Sequence, residues 1–299
     1  MTAPVLRHVA ANGIRLACFE HGVASADSPT LLFVHCTGFH GRIWDRIIEA
    51  LPGCHALALE QRGHGRSDKT SIDHWDVFGQ DMSAFVEALA LKDIIGVGHS
   101  LGAHAMVDAA AATGAFERLV LCDPTIAAPE AYGKRPADLD DGRPHPTARR
   151  RAVFESPAEM ATQLRPKGSY SLFDERMFND YCEYGLVPGE DGQLTLACPP
   201  AFEASVYTAS RTNAGVFESA RALDIPVHIL RAKEPAPDRA RFDFSTSPTW
   251  PDLVHEFKNA HEDYLPDCTH FIPMHMPERV IDAVKAAMAA WKTARGQVA

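Results

Sequence analysis

The sequence predicts an α/β fold in which a mostly parallel central sheet carries helices on both faces and a helical cap is inserted between two strands. Short apolar runs alternate with segments of helical spacing, which is typical of parallel strands joined by helical crossovers. One junction joins a β-branched run to a small-residue segment through Gly98-His99-Ser100-Leu101-Gly102. The alternation stops near residue 125 and resumes near residue 226. We therefore expect a core formed by residues 1–124 and 226–299, with residues 125–225 as the cap.

The first three strands are predicted from a turn and an apolar run. Asn12-Gly13 separates two segments, 5–10 and 14–19. It predicts a hairpin, because a type I′ turn needs positive φ at both central positions. The continuous apolar run 31–34 predicts a strand covered on both faces.

The later elements are predicted from the same two periodicities. The predicted helices cover residues 42–51, 78–89, 101–112, 157–164, 174–184, 250–258 and 277–293. The predicted strands cover residues 55–59, 94–98, 119–122, 227–230 and 263–265. Within the cap we expect short helices and no strand ladder.

Composition excludes several classes of protein. The net charge of −10 argues against a nucleic-acid surface, which needs a basic stripe. We find neither a leader-like apolar segment nor a run near the ~20 apolar residues that span a bilayer, so we expect a cytoplasmic protein without a membrane partner. Seven cysteines without a Cys-x-x-Cys pair favour small buried thiols over a disulfide framework or a zinc ribbon.

The junction at Ser100 has two interpretations. It fits the Gly-x-Ser-x-Gly pattern, in which a serine lies at a strained strand-to-helix turn and the glycines let strand and helix pass closely. The pattern alone is weak, because glycine and serine are abundant. A phosphate-binding loop is the second interpretation, since Gly96, Gly98 and Gly102 also join a strand to a helix. In that case Asp123 could be a ribose-binding acid at the end of the next strand.

Three further segments bear on this choice, and they lie after the third strand, after the fourth strand and near the C-terminus. They are His35-Cys36-Thr37-Gly38, Arg62-Gly63-His64-Gly65-Arg66-Ser67-Asp68 and Thr269-His270-Phe271. With the turn at Ser100 they resemble the α/β-hydrolase family over essentially the whole chain. A dinucleotide-binding fold would place its glycine loop after the first strand, whereas at least four predicted strands precede it here.

The resemblance implies a role for several residues. Ser100 would be the nucleophile, and His270 would be the base that takes its proton. The backbone amides of Leu101 and Thr37 would form the oxyanion hole, which stabilises the negative charge on the attacked carbonyl oxygen. His64 and His99 are interpreted as structural.

Two carboxylates compete to orient the imidazole. Asp123 lies at the carboxyl end of the strand next to the Ser100 strand, where sites in wound sheets collect, and some members of the family take their acid from that position. Glu234 follows the strand that most members use, but it is one residue displaced from the family pattern. We favour Asp123 and keep Glu234 as the alternative acid.

We therefore expect a cofactor-independent serine hydrolase that cleaves a carboxylic ester or lactone of small to medium size through a covalent acyl-enzyme, with the cap covering its site. A C–C bond hydrolase or a perhydrolase with the same triad is an alternative. Two other classes are a non-catalytic small-molecule binding protein on this fold and a nucleotide-binding oxidoreductase. No metal is expected, because among the candidate ligands His35, Cys36, Cys268 and His270 no pair has metal-ligand spacing on a regular element.

Overall fold

An eight-stranded sheet runs through the protein, with the strand order β1-β2-β4-β3-β5-β6-β10-β11. Its strands are β1 (Val5–Ala11), β2 (Ile14–His21), β3 (Thr30–Val34), β4 (His55–Glu60), β5 (Ile94–His99), β6 (Phe116–Cys122), β10 (Val227–Ala232) and β11 (Ala260–Leu265). β2 is antiparallel to β1 and β4, and the pairs from β4 to β11 are parallel. The fold class predicted from the sequence is confirmed.

This computed structural model describes residues 3–51, 53–134, 145–189, 192–236 and 243–296. Its α-helices are α1 (Asp45–Glu49), α2 (Asp76–Ala88), α3 (Leu101–Thr113), α4 (Pro157–Leu164), α5 (Glu175–Tyr184), α6 (Pro200–Thr208), α7 (Val216–Ala222), α8 (Ile272–His275) and α9 (Pro277–Ala294). The remaining parts of the predicted core and cap lie outside the described residues, at 1–2, 52, 135–144, 190–191, 237–242 and 297–299.

The sheet has an apolar core on each face, because successive side chains of a strand point in opposite directions. In β3, Leu31 and Phe33 pack on one face with α1 and α9. Leu32 and Val34 pack on the other face with α2, α3 and α7. All four side chains are fully buried, which explains why β3 is apolar without interruption.

The predicted hairpin is confirmed at the N-terminus. Asn12 and Gly13 have φ values of 46° and 74°, and β1 pairs with β2 from Ala11 opposite Ile14 to Val5 opposite Glu20. The positive φ at both positions is the conformation that a type I′ turn requires.

Four expectations about local structure were inaccurate. The predicted helix 42–51 is a 3₁₀ turn at Gly41–Trp44 followed by the short α1, and the predicted helix 250–258 is a 3₁₀ helix at Pro251–Glu256. β11 begins at Ala260, before the predicted position. The segment predicted to lack strands contains a three-stranded antiparallel sheet. Its strands are β7 (Val153–Phe154), β8 (Leu186–Pro188) and β9 (Leu194–Leu196), which are too short to show an alternating pattern.

The segment between β6 and β10 begins its helices with side-chain caps. The Ser156 hydroxyl accepts a hydrogen bond from the Glu159 amide at 3.1 Å, and an Asp174 carboxylate oxygen accepts one from the Met177 amide at 3.1 Å. Such caps satisfy amides that have no partner within the helix. The Asp174 amide also donates to the carbonyl of Met274 at 2.7 Å, which ties the start of α5 to α8.

Candidate active site

The turn between β5 and α3 holds Ser100 in a conformation that few non-glycine residues adopt. Its φ is 56° and its ψ is −116°, where L side chains are strained. A Cβ on Gly98 would lie 2.6 Å from the Cα of Ala103, and a Cβ on Gly102 would lie 2.5 Å from the carbonyl oxygen of Val34. Glycine at 98 is therefore needed for β5 and α3 to pass this closely, and glycine at 102 for α3 to pack against the end of β3, with Ser100 at the apex between them.

His270, in the loop after β11, contacts both Ser100 and Asp123. Its Nε2 lies 3.0 Å from Ser100 Oγ, and its Nδ1 lies 2.6 Å from Asp123 Oδ2. The Nε2–H of His99 donates a hydrogen bond to the carbonyl oxygen of His270 at 2.9 Å. His270 is only 3% exposed, so its imidazole is fixed between a hydroxyl and a carboxylate.

Asp123 is fully buried at the end of β6 and also has a positive φ, 44°. Three donors converge on its Oδ1: the Ala232 amide at 2.9 Å, the Ser247 hydroxyl at 2.6 Å and the Thr249 hydroxyl at 3.2 Å. These contacts hold the carboxylate in one orientation, with Oδ2 facing His270. Sequence reasoning missed Ser247 and Thr249, because they lie in an irregular segment after β10 and match no motif.

Glu234, the alternative acid, lies in a different environment. Its side chain is 52% exposed, and its Oε1 accepts a hydrogen bond from Nη1 of Arg231 at 3.0 Å. The same guanidinium donates through Nε to Glu262 at 2.9 Å. The structure thus brings Asp123 to His270 and places Glu234 in a surface ion-pair network.

The amides expected to form the oxyanion hole belong to two different elements. Leu101 is the first residue of α3, so its N–H has no acceptor within the helix. Thr37 is buried in the loop after β3. The next amide of that loop, Gly38 N–H, donates to Nε2 of His64 at 3.0 Å, and Nδ1–H of His64 donates to the Arg62 carbonyl at 2.9 Å. His64 therefore joins the loop after β3 to the loop after β4.

Burial keeps the histidines around the site neutral. Burial lowers the pKa of His64 and of His99 well below the usual value, with His35 adding to the effect on His64 and His270 to that on His99. Burial lowers the pKa of His35 to about 4. A neutral imidazole has one donor and one acceptor nitrogen, which is what His64 needs to accept from Gly38 while donating to Arg62.

A cavity of about 680 Å³ lies beside the oxyanion loop and His270. Its lining includes Thr37 of the oxyanion loop and Phe271, the residue that follows His270. Most of the large side chains around it are aromatic or aliphatic. They are Phe39, Phe154, Leu164, Tyr170, Leu172, Tyr207, Phe244 and Phe271. The ring of Phe244 stacks on that of His270 with centroids 6.1 Å apart, so the cavity adjoins the imidazole.

A partly buried ion pair lies in the wall of this cavity. Nη1 of Arg150 donates to Oε2 of Glu203 at 2.7 Å, and Nη2 donates to the Tyr181 hydroxyl at 3.2 Å. Burial raises the pKa of Glu203, and the Arg150 charge opposes that rise. A Cβ on Gly38 would lie 2.6 Å from Glu203 Oε1, so the carboxylate lies directly against the oxyanion loop.

The described residues hold neither a metal-binding cluster nor a membrane-spanning helix. Among them, no group of three or more His, Cys, Asp or Glu side chains could hold a metal ion. All seven cysteines are buried and free, as predicted. Within the part of the chain that the structure describes, no helix is long and apolar enough to cross a membrane.

Comparisons with known proteins agree with this fold. A lipase, LipV of Mycobacterium tuberculosis, is 36% identical over 98 residues, which are 32% of this chain and 38% of that protein. The 2-(acetamidomethylene)succinate hydrolase of Mesorhizobium japonicum is 26% identical over 261 residues, or 86% of each chain. A crystal structure of E-2-(acetamidomethylene)succinate hydrolase superposes with a TM-score of 0.73 at 21% identity, covering 95% of this chain and 98% of the other.

The chain thus spans about two-fifths of the length of the lipase but most of the succinate-derivative hydrolase. Residues 31–283 match the alpha/beta hydrolase family as a whole. That span contains the turn at Ser100, the loop after β3 and the residues that follow β6 and β11. This protein belongs to the alpha/beta hydrolase family.

Proposed function

We propose that this protein is a serine hydrolase that cleaves a carboxylic ester or lactone of small to medium size through a covalent acyl-enzyme. The observation that carries the proposal is the continuous hydrogen-bonded series from Asp123 through His270 to Ser100, with distances of 2.6 and 3.0 Å. Serine is a weak nucleophile until a base takes its proton, and the base must be held by a third group. The three residues have the spacing that these roles require.

The reaction follows from this geometry. An electron pair on Ser100 Oγ attacks the carbonyl carbon while the hydroxyl proton passes to His270 Nε2, and the carbonyl electron pair moves onto its oxygen. The amides of Leu101 and Thr37 would stabilise that oxyanion. Collapse expels the alcohol, which takes the proton from His270. Water then attacks the acyl-enzyme and gives a proton to His270, which returns it to Ser100 Oγ as the acid leaves.

The cavity supports a substrate of modest size. Its volume of about 680 Å³ lies within the ~300–1,000 Å³ of small-molecule sites, which are mostly apolar with a few polar groups. Phe154, Tyr170 and Tyr207 reach it from the segment between β6 and β10. We therefore propose that residues 125–225 act as a cap that selects the substrate. The seven unpaired cysteines fit the proposed reducing, cytoplasmic location.

A second candidate is hydrolysis of an ester or amide whose acid part carries a further carboxylate. The partly buried guanidinium of Arg150 lines the cavity close to the oxyanion loop, and guanidinium groups bind carboxylates well. The relative that aligns along 86% of its length is named for a substituted succinate, a dicarboxylate. This observation favours acid-bearing substrates over neutral ones of the same shape.

Replacement of Ser100 tests the main proposal. We expect Ser100→Ala to lose nearly all turnover while keeping the fold, because only the oxyanion hole and substrate binding then remain. The measurement is kcat on p-nitrophenyl esters of increasing chain length and on lactones, with fluorophosphonate labelling followed by mass spectrometry. Ser83→Ala is the matched control, since that hydroxyl donates to the Gly79 carbonyl inside α2.

The proposal fails if Ser100→Ala retains more than about a tenth of the wild-type kcat on the best substrate. A wild-type protein that shows neither hydrolysis nor labelling at Ser100 would instead favour a non-catalytic binding role.

A further inference from the structure

Thr125 belongs neither to the sequence motifs nor to the proposed triad, although its side chain contacts the proposed nucleophile, Ser100 Oγ. Its Oγ1 lies 2.9 Å from Ser100 Oγ. Ser100 Oγ thus has two hydrogen-bond partners, Thr125 on one side and His270 Nε2 at 3.0 Å on the other. The direction of the hydrogen bond between the two hydroxyls determines what Thr125 can do.

The proton count fixes that direction in the reactive state. Ser100 has one hydroxyl proton, and it must point at Nε2 of a neutral His270 for the base to take it. Nδ1–H of the same ring donates to Asp123, so Nε2 is the acceptor nitrogen. Ser100 Oγ has no second proton to give, and Thr125 must therefore be the donor in the hydrogen bond between them.

The backbone of Thr125 is held firmly enough for this contact to be preorganised. The Thr125 amide donates to the Ser100 carbonyl at 3.2 Å, and the Thr125 carbonyl accepts from Nδ1–H of His104 at 3.0 Å. The other ring nitrogen of His104 accepts from Nδ2 of Asn213 at 3.2 Å, and Asn213 also donates to Asp108 at 2.6 Å. These buried contacts connect residue 125 to α3 and to the segment before α7.

The position of the acid explains why residue 125 reaches the nucleophile. β6 lies next to β5, and the Ser100 amide donates to the carbonyl of Cys122, the last residue of β6, at 3.0 Å. The positive φ of Asp123 then turns the chain sharply. Two residues later the chain lies against Ser100.

From this geometry we propose that Thr125 is a further catalytic residue, which donates its hydroxyl proton as a hydrogen bond to Ser100 Oγ. As the Ser100 proton moves to His270 and negative charge develops on Oγ, this hydrogen bond strengthens and stabilises that charge. One electron pair of Oγ accepts from Thr125, and the other forms the bond to the carbonyl carbon.

Thr125 keeps its own proton throughout the reaction. When the acyl-enzyme breaks down, Ser100 Oγ becomes the leaving group and again gains negative charge before His270 returns its proton. The same hydrogen bond then stabilises the leaving oxygen. Thr125 therefore acts in both acylation and deacylation. This role depends on the proposed function, because it requires Ser100 to be the nucleophile.

Isosteric replacement tests the proposal. Thr125→Val removes the hydroxyl but keeps the shape and both backbone hydrogen bonds. We expect kcat and the rate of fluorophosphonate labelling to fall about 10- to 100-fold, the range for a hydrogen bond to a charged group. KM should change little, because the Thr125 hydroxyl bonds to Ser100 Oγ and Thr125 is not among the residues that line the cavity. Thr113→Val is the matched control, since that hydroxyl bonds to the Ala109 carbonyl at the end of α3.

A second pair of variants keeps the proposal testable if Thr125→Val does not fold. Thr125→Ser retains the hydroxyl and Thr125→Ala lacks it, while both lose the methyl group. We expect the serine variant to label and turn over at least 10 times faster than the alanine variant. Equal rates in this pair, or a Thr125→Val protein that labels as fast as wild type, would overturn the inference and leave the proposed function intact. If wild-type Ser100 is not labelled at all, the proposed function fails and the inference fails with it.

Discussion

At the scale of single residues, Asp123 has two tasks that a carboxylate can combine because it has two oxygen atoms. One oxygen accepts from Ala232, Ser247 and Thr249, which fixes the side chain, and the other faces Nδ1 of His270 at 2.6 Å. An acid in this position selects the histidine tautomer whose Nε2 can accept the serine proton. Asparagine in its place would favour the opposite tautomer.

Replacing each acid in turn tests this assignment. We expect Asp123→Asn to lower kcat by up to ~10⁴, because His270 would adopt the wrong tautomer. Glu234→Gln should change kcat little, since that side chain is half exposed and paired with Arg231. Both substitutions remove one carboxylate charge, so each serves as the control for the other. A large loss in Glu234→Gln with near-normal activity in Asp123→Asn would contradict the geometry.

The sequence can predict a site residue when the residues that define its role lie next to it in the chain. Ser100 lies in a contiguous pattern with two glycines, where a Cβ would clash with Ala103 and Val34. The spacing of these residues along the chain is therefore enough to identify Ser100 as the candidate nucleophile. The choice between Asp123 and Glu234 depends on the path of two loops. The hydroxyls that hold Asp123 are more than 120 residues away in sequence, so no sequence motif could have predicted these contacts.

At the scale of elements, the segment between β6 and β10 supplies much of the cavity wall, and with it the charge next to the oxyanion loop. Arg150 precedes β7 and Glu203 lies on α6, yet their side chains meet at 2.7 Å. Two helices of this segment, α4 and α5, were predicted from the sequence, whereas α6, α7 and the two- and three-residue strands were not. The position of the Arg150 side chain depends on β7, which follows it in the chain, and on its hydrogen bond to the Tyr181 hydroxyl.

Substitution of Arg150 tests whether this segment selects acid-bearing substrates. We expect Arg150→Met to lower kcat/KM for a hemisuccinate ester about 10- to 100-fold, the range for a hydrogen bond to a charged group. A neutral ester of the same shape should lose much less. Arg176→Met on α5 is the matched control, because Arg176 pairs with Glu49 on the surface. Equal losses on both esters would contradict a carboxylate-binding role and indicate a structural one.

At the scale of the whole molecule, the parallel order of strands brings distant residues to one edge. β3, β5, β6, β10 and β11 are successive neighbours and run in the same direction, so their carboxyl ends lie side by side. Thr37, Ser100, Asp123 and His270 each follow one of these strands. The sequence predicts this edge because strand order follows from the fold class. It does not predict which loop residues meet there, since loop paths depend on packing.

Neutral histidines are buried near the same edge of the sheet. They make the free energy of unfolding depend on pH. Burial lowers the pKa of His35 from 6.5 to about 4, with Lys69 lowering it further and Glu60 and the Cys36 carbonyl opposing the shift. Between these values the unfolded chain binds a proton that the folded protein excludes. The free energy of unfolding therefore falls as the pH falls from about 6.5 to about 4, by about 3 kcal/mol for this group.

Urea denaturation of wild type and His35→Gln across this range tests the prediction. Glutamine cannot titrate, so the variant lacks the contribution of His35. Asp180, whose pKa burial raises to about 6, is present in both proteins and contributes equally to each. Wild type should be the more stable at pH 7, because His35 accepts the Gln61 amide at 3.2 Å and donates to the Cys36 carbonyl at 2.8 Å. That advantage should shrink by about 3 kcal/mol on going from pH 7 to pH 4. An advantage that stays constant down to pH 4 would mean that His35 is protonated inside the fold.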